Sequence, residues 1–566
     1  MNKGRRRRKG LDLFLVAPIL VSVTTFLFLA IGVASAYVHV KGGHRDNVSP
    51  SKLIIEFHND NAVKLAINNN GPIGIDNFLG NGAGFWPGNT PNNYVFGTGI
   101  WIGGLADVDG DGAQDTIFLQ GYNPIDGGTE FREGRYDQDP NSELATVFNS
   151  SSDDEDYTEW SLENWPDEFR ILDEDPDSPT YGQMIPWVRS DEDLVCIYNT
   201  FQGVPKYGVN VPVQVEQRSM AFTSGLSRQV IFFIFDIKNI SDQVEGWEPF
   251  TLEDAWMGYS SDMDIGETFR DDRTSFFTTM EDPETGETIP INMGFAWDND
   301  FDEGSNWVGK VGFVGIAYLQ SPGNDFDGID NDGDGMIDES PFNGIDDDGD
   351  GVVDDQPDEV DQLGLVNYSF DCNPSTCESR PDPESDPEGF RIMKCDPPDE
   401  CLETTEDTDI RFIITSGPFK IRPGEPHRIV LAFVFAAPVG DPSSIEVVGD
   451  PPRPRPEDEV FGEFLAVKST VQGIYDLDFL QASPPPRPSM TLIPGDRQVT
   501  ILWDDSPVFA KDKTYDEFVK LDPDYRQYDF EGFRLWRSRT GNFSTLGDPD
   551  DPLNPLAAQE NETSED

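Results

Sequence analysis

Gln229-Val-Ile-Phe-Phe-Ile-Phe-Asp-Ile-Lys238 sets the class of this chain. Its apolar residues are β-branched or aromatic, and they follow one another without helical spacing. Turn formers stand on both sides, Gly225 before and Asn239 after, so the stretch reads as a β-strand. Seven further runs share this make-up: Lys52–Phe57, Tyr94–Ile102, Thr116–Gln120, Val211–Glu216, Gly312–Leu319, Ile410–Ile414 and Ile429–Phe435. Each is bounded by Gly, Pro, Asn or Asp. Leu194-Val-Cys-Ile-Tyr198 is also strand-like, and a buried free thiol is the expectation for Cys196. Helical periodicity is confined to Glu457–Asp476, where Phe461, Phe464, Leu465, Val467, Val471 and Ile474 form one apolar stripe. The predicted fold is mainly β: a large β-sandwich with long acidic loop insertions and one helix packed on a sheet.

Three loops repeat one spelling. They are Asp107-Val-Asp109-Gly-Asp111-Gly-Ala113-Gln-Asp115, Asp330-Asn-Asp332-Gly-Asp334-Gly-Met336-Ile-Asp338 and Asp346-Asp-Asp348-Gly-Asp350-Gly-Val352-Val-Asp354. Ca²⁺ takes six to eight oxygen ligands in a flexible shell. Carboxylates at loop positions 1, 3, 5 and 9 and a carbonyl at position 7 (Ala113, Met336, Val352) can supply most of it. Glycine at position 6 permits the sharp turn: Gly112, Gly335 and Gly351. Position 12 of an EF-hand is a bidentate glutamate; here it is Phe118, Pro341 and Pro357, and proline also denies an exiting helix. Water, Glu339 or Asp355 could complete the shells. The flanks repeat as well, Phe326-Asp-Gly-Ile-Asp330 against Phe342-Asn-Gly-Ile-Asp346. The loops resemble the calcium loops of thrombospondin type 3 repeats and dockerins, which pack in series without a full EF-hand. The cofactor expected is Ca²⁺. Asp262, Asp264, Asp298, Asp300 and Asp302 form two less regular acidic clusters, weaker candidates for further metal sites.

The N-terminus carries Arg5-Arg-Arg-Arg-Lys9, an apolar run from Leu13 to Val33 and the small-x-small site Ala34-Ser-Ala36. This reads as an export signal over residues 1–36, cleaved or retained as an anchor. Both readings place the rest at the cell surface or outside the cell. No second run of spanning length follows. The chain holds 106 Asp+Glu against 40 Lys+Arg. So negative a surface repels nucleic acid and anionic membranes. Four of the five cysteines cluster as Cys372, Cys377, Cys395 and Cys401. In an exported protein they read as two local disulfides, with three connectivities open and Cys372–Cys377 with Cys395–Cys401 favoured. A zinc site is the rival, without a nearby histidine.

The division read from the chain is a large β-rich domain over 37–480, a proline-rich linker over 481–489 and a last module over 490–566. Within the large domain, 324–361 is read as a tandem-loop insertion and 371–402 as a loop-like excursion stapled by cysteines. Gln498-Val-Thr-Ile-Leu-Trp503 and Phe530-Glu-Gly-Phe-Arg-Leu-Trp-Arg-Ser538 resemble two strands of a fibronectin type III domain. A full sandwich takes about a hundred residues, so the resemblance implies a partial one. Phe85-Trp-Pro-Gly88, Phe96-Gly-Thr-Gly-Ile-Trp-Ile-Gly103 and Ser416-Gly-Pro-Phe-Lys-Ile-Arg-Pro-Gly424 are together similar to large secreted β-rich proteins of the Bacteroidetes–Ignavibacteria–Marinimicrobia type. That likeness implies type IX-like export and surface display. His39, His44, His58 and His427 are the only histidines, and no hydrolase or phosphate-loop spelling appears. Trp86, Trp101 and Trp256 are read as core rather than sugar platforms. The favoured function is a non-enzymatic, calcium-binding structural or adhesive protein. Its expected partners are surface or matrix components, polysaccharide among them. The alternative is a secreted carbohydrate-active hydrolase whose carboxylate pair the sequence cannot nominate.

Overall fold

Both faces of the strand that opens with Val230 are buried, which accounts for its unbroken apolar run. Side chains alternate across a strand. Ile231, Phe233, Phe235 and Ile237 enter one core, while Val230, Phe232 and Ile234 enter another. The computed structural model describes residues 52–528 apart from internal segments, the longest being 152–159, 324–361, 373–381, 397–408 and 446–453. The chain is mainly β, 42% strand and 12% helical.

Two antiparallel sheets form the body. Their principal strands, in chain order, are β1 Gly97–Ala106, β2 Asp115–Gln120, β3 Glu192–Asn199, β4 Val213–Ala221, β5 Val230–Asn239 and β6 Leu252–Asp262. Then follow β7 Asp272–Glu281, β8 Thr288–Asp298, β9 Phe313–Gln320, β10 Asn367–Cys372, β11 Ile410–Ile421 and β12 Pro426–Ala436. The larger sheet runs Phe148–Asn149, β3, β4, β5, β12, β9, β8, β7, with Arg132–Glu133 also on β3. The smaller runs β10, β11, β6, β1, β2. Bridges through Ile73 join it to a small sheet that contains Ile55–His58 and Lys64–Asn68. Between the layers lie Phe233, Phe433 and Phe435 from the larger sheet and Met257, Tyr259, Phe412 and Ile414 from the smaller. Phe233 and Phe433 approach to 5.0 Å between ring centroids. Truncating such a ring to alanine costs about 3–5 kcal/mol.

Helices cover the outer faces. The expected helix is α2, Gly462–Tyr475, preceded by a 3-10 turn at Glu459–Phe461. Its predicted stripe packs on the outer face of the larger sheet, against Phe232, Phe295, Phe313 and Val434. The smaller sheet is covered by α1, Asp386–Lys394. This helix corrects the sequence reading of 371–402 as loop. Nine residues give little periodicity, but Pro387 near the start and Arg391 and Lys394 in the last turn suit a short helix. Phe390 and Met393 meet Trp101, Phe118 and Trp256. Gly389 lies so close that an added Cβ would stand 2.2 Å from the Phe118 ring. Trp86, Trp101 and Trp256 are all buried, and Cys196 is a buried free thiol, both as expected.

The strand expectations hold with shifted ends. Ile410–Ile414 is the start of a twelve-residue strand, and Tyr94–Ile102 divides into Asn93–Val95 and β1. The strands β6, β7, β8 and β10 lie outside those expectations. Gly323 bridges Gln362, and the Leu363 N–H donates to the Pro322 carbonyl at 3.2 Å, so the chain returns to its point of departure across 324–361. Of the last module the described elements are a hairpin, Met490–Gly495 with Gln498–Trp503, and a 3-10 turn at Ser506–Phe509. Trp503 is 45% exposed there. Phe530–Ser538 lies outside the described residues.

Candidate metal-binding sites

The first aspartate-rich loop joins β1 to β2. Asp107, Asp109 and Asp111 each offer a carboxylate oxygen within 4.8 Å of the others. Their own backbone folds around them. Asp107 accepts the N–H groups of Gly110 at 2.8 Å and Gly112 at 2.9 Å. Asp109 accepts from Asp111 at 3.0 Å, and Asp111 from Ala113 at 2.7 Å. Gly110 and Gly112 adopt φ of +75° and +85°, where any other residue would be strained. The turn therefore wraps its backbone around converging carboxylates. Asp115 opens β2 and accepts the Val108 N–H at 3.4 Å; it is not part of the converging trio. Phe118, at position 12, is buried in β2 under α1, so a strand stands where an EF-hand would place its exiting helix.

Asp330, Asp332, Asp334, Met336, Asp338, Asp346, Asp348, Asp350, Val352 and Asp354 lie outside the described residues, as does Asp302. The two weaker clusters each acquire a partner distant in sequence. Asp262 and Asp264 converge with Asp409, and Asp298 and Asp300 with Asp271, again within 4.8 Å. No pattern in the sequence marks Asp409 or Asp271. Burial first, and then neighbouring carboxylates, push Asp264 up to about 8. Burial also raises Asp262, to about 6, against the opposing pull of Arg411. Asp262 accepts the Tyr122 hydroxyl at 2.9 Å and pairs with Arg411 at 3.3 Å. Their oxygens and charge suit a hard cation. No residue set of mixed sulfur and imidazole donors converges among the described residues.

Cys395 ends α1 in a left-handed conformation, φ +54°. The side chains of Cys372, Cys377 and Cys401 lie outside the described residues.

Sequence reasoning missed a Ser-His-Glu constellation. His58 Nε2 lies 2.7 Å from Ser219 Oγ, and its Nδ1 3.0 Å from Glu192 Oε2. This is the hydrogen-bond order of a hydrolase triad. Yet His58 and Ser219 are fully buried and Glu192 is 1% exposed, so no substrate carbonyl can reach the hydroxyl. Glu192 also accepts the Asn59 N–H at 3.0 Å. Burial alone would raise Glu192, but the His58 hydrogen bond and charge outweigh it and hold the carboxyl below its usual range. The group staples Ile55–His58 to β3 and β4.

No family model matches the chain, and no curated protein matches it. Among solved structures, an amine oxidase of Aspergillus nidulans aligns at 9% identity with a TM-score of 0.23. The alignment covers 71% of this chain and 56% of that one.

Proposed function

We propose that this is an exported, calcium-binding structural or adhesive protein of the cell surface or matrix, without an enzymatic reaction of its own. The observation that carries the calcium reading is the β1–β2 loop. Its three aspartates converge while their backbone N–H groups and two positive-φ glycines hold the turn. The export reading rests on the N-terminal leader. Calcium would lock a turn that otherwise holds mutually repelling carboxylates, and it stabilises the folded state by mass action, about 2.7 kcal/mol at a hundredfold excess over Kd. Expected partners are polysaccharide or other matrix components. Local pairing of Cys372, Cys377, Cys395 and Cys401 would fix the chain around α1 in the same oxidising setting. The buried Ser219 does not favour the hydrolase alternative.

The test is a binding and turnover screen. Purified protein in millimolar Ca²⁺ should be retained on at least one matrix polysaccharide and released by EDTA, with every substrate intact. Turnover of a polysaccharide or peptide, abolished by one carboxylate-to-amide change outside the three loops at unchanged thermal stability, would replace this reading with the hydrolase.

A further inference from the structure

The connection from β3 to β4, residues 200–212, leaves the larger sheet and reaches the helix that covers the smaller one. Two buried carboxylates from different parts of the chain seat it there. Glu130 accepts the Gln120 N–H of β2 at 2.8 Å through one oxygen and the Lys206 N–H through the other. Asp386, the first residue of α1, accepts the N–H groups of Gly208 at 3.2 Å and Val209 at 3.3 Å. Between these points the Tyr207 hydroxyl donates to the Pro383 carbonyl at 2.9 Å. The backbone itself lies on its holders. A Cβ added to Gly208 would stand 2.1 Å from Asp386 Oδ2, and one added to Gly203 would stand 1.9 Å from the Glu130 carbonyl oxygen.

Glu130 and Asp386 are 3% and 4% exposed. Lys206 turns its ammonium to the exposed Asp126, and Glu384 faces Tyr207 from the segment before α1. A carboxylate taken out of water and bonded to neutral N–H groups keeps much of its desolvation cost when ionised. Burial accordingly raises Glu130 from 4.5 to about 7, with Asp386 adding to the rise, against the pull of its two N–H donors and of the Lys206 charge. Burial raises Asp386 from 3.8 to about 6, against the pull of Gly208 and Val209. We propose that residues 200–212 form a latch between the two layers, closed while Glu130 and Asp386 are protonated and released when both ionise. Opening returns the two carboxyls to water, where they ionise at their ordinary values. The closed form thus holds its protons more tightly than the open one. Its advantage is complete below about pH 4 and is lost as pH rises through about 6 and 7. Release uncovers the first turn of α1 and the end of β2, on which the connection is seated. The latch does not rest on the calcium reading.

Hydrogen exchange of the full-length protein tests the latch, read as protection factors at pH 5 and pH 8 so that the intrinsic pH dependence is divided out. The peptide that covers Lys206, Gly208 and Val209 should lose protection at least tenfold at the higher pH, while the β4–β5 ladder keeps its own. With Glu130→Gln and Asp386→Asn together the loss should vanish. If that double variant does not fold, Glu130→Gln alone decides: the midpoint of the loss should move from about 7 to about 6, where Asp386 titrates. Equal protection at both pH values in the wild type, a loss that persists in the double variant, or an unmoved midpoint in the single one would overturn the proposal.

Discussion

The β1–β2 loop and the Asp262–Asp272 corner are both clusters of aspartate, yet they are built by opposite means. In the loop, five residues of continuous chain bring three carboxylates together, Asp109 and Asp111 are exposed, and the acceptors are used by the turn's own N–H groups. At the corner, residues distant in sequence converge, Asp262 and Asp264 with Asp409 and, separately, Asp298 and Asp300 with Asp271; Asp262, Asp272 and Asp298 are buried, and burial pushes Asp264 up to about 8. Local turn chemistry makes the first, and tertiary burial makes the second. A charge in the loop is screened by water and salt. A charge at the corner is costly unless paired or neutralised.

The contrast is broken most severely at Arg411. Replacing it by methionine leaves Asp262, Asp409 and Asp382 without their shared guanidinium. Breaking a buried pair in this way should cost about 3–5 kcal/mol in urea unfolding. A loss as small as that of an exposed loop change would show that the corner is not electrostatically closed. The next effect is calcium itself. Saturating Ca²⁺ should stabilise the wild-type protein by about 2.7 kcal/mol per site at a hundredfold excess over Kd, and Asp109→Asn with Asp111→Asn should remove one site's share. Without calcium those two changes should each fall within about 0.5 kcal/mol of wild type, the smallest effect predicted.

Between these lies a pH response that belongs to neither acidic region. His427 is buried beside Phe419, and burial, with Arg422 adding to it, lowers it from 6.5 to about 3. The unfolded chain takes up the proton first as pH falls, so stability is full above pH 6.5 and is lost progressively toward pH 3. By pH 5 the loss is about 2 kcal/mol. His427→Phe should flatten that acid limb in thermal unfolding and leave the calcium response unchanged. An unchanged acid limb would place the titration elsewhere, at one of the acidic regions.

What sequence made legible follows the same division. Continuous apolar runs such as Gln229–Lys238 and Ile429–Phe435 announced the strands, because a strand buried on both faces needs apolar residues at every position. The spacing of Phe464, Val467 and Val471 announced α2, whose stripe meets one sheet. Leu252–Asp262 was missed because Glu253, Asp254, Gly258, Ser260 and Ser261 interrupt it; its burial comes from neighbours on both sides, not from its own composition. The converging trio of the loop Asp107–Asp115 was legible because a local turn sets its carboxylates at fixed short intervals. Asp409, Asp271 and Asp272 were not, since pairing between distant strands leaves no local interval to read. The His58–Ser219–Glu192 staple was hidden for the same reason, its members being 134 and 161 residues from His58.

The central claim is that the β1–β2 loop takes up calcium as a preformed oxygen cup. Isothermal titration of the full-length protein with Ca²⁺, repeated on Asp109→Asn/Asp111→Asn, tests it most directly. The account predicts that the double variant binds one equivalent fewer than wild type, with Mg²⁺ competing poorly because its small octahedral shell fits such loops badly. Identical stoichiometry and heat in the two proteins would contradict it.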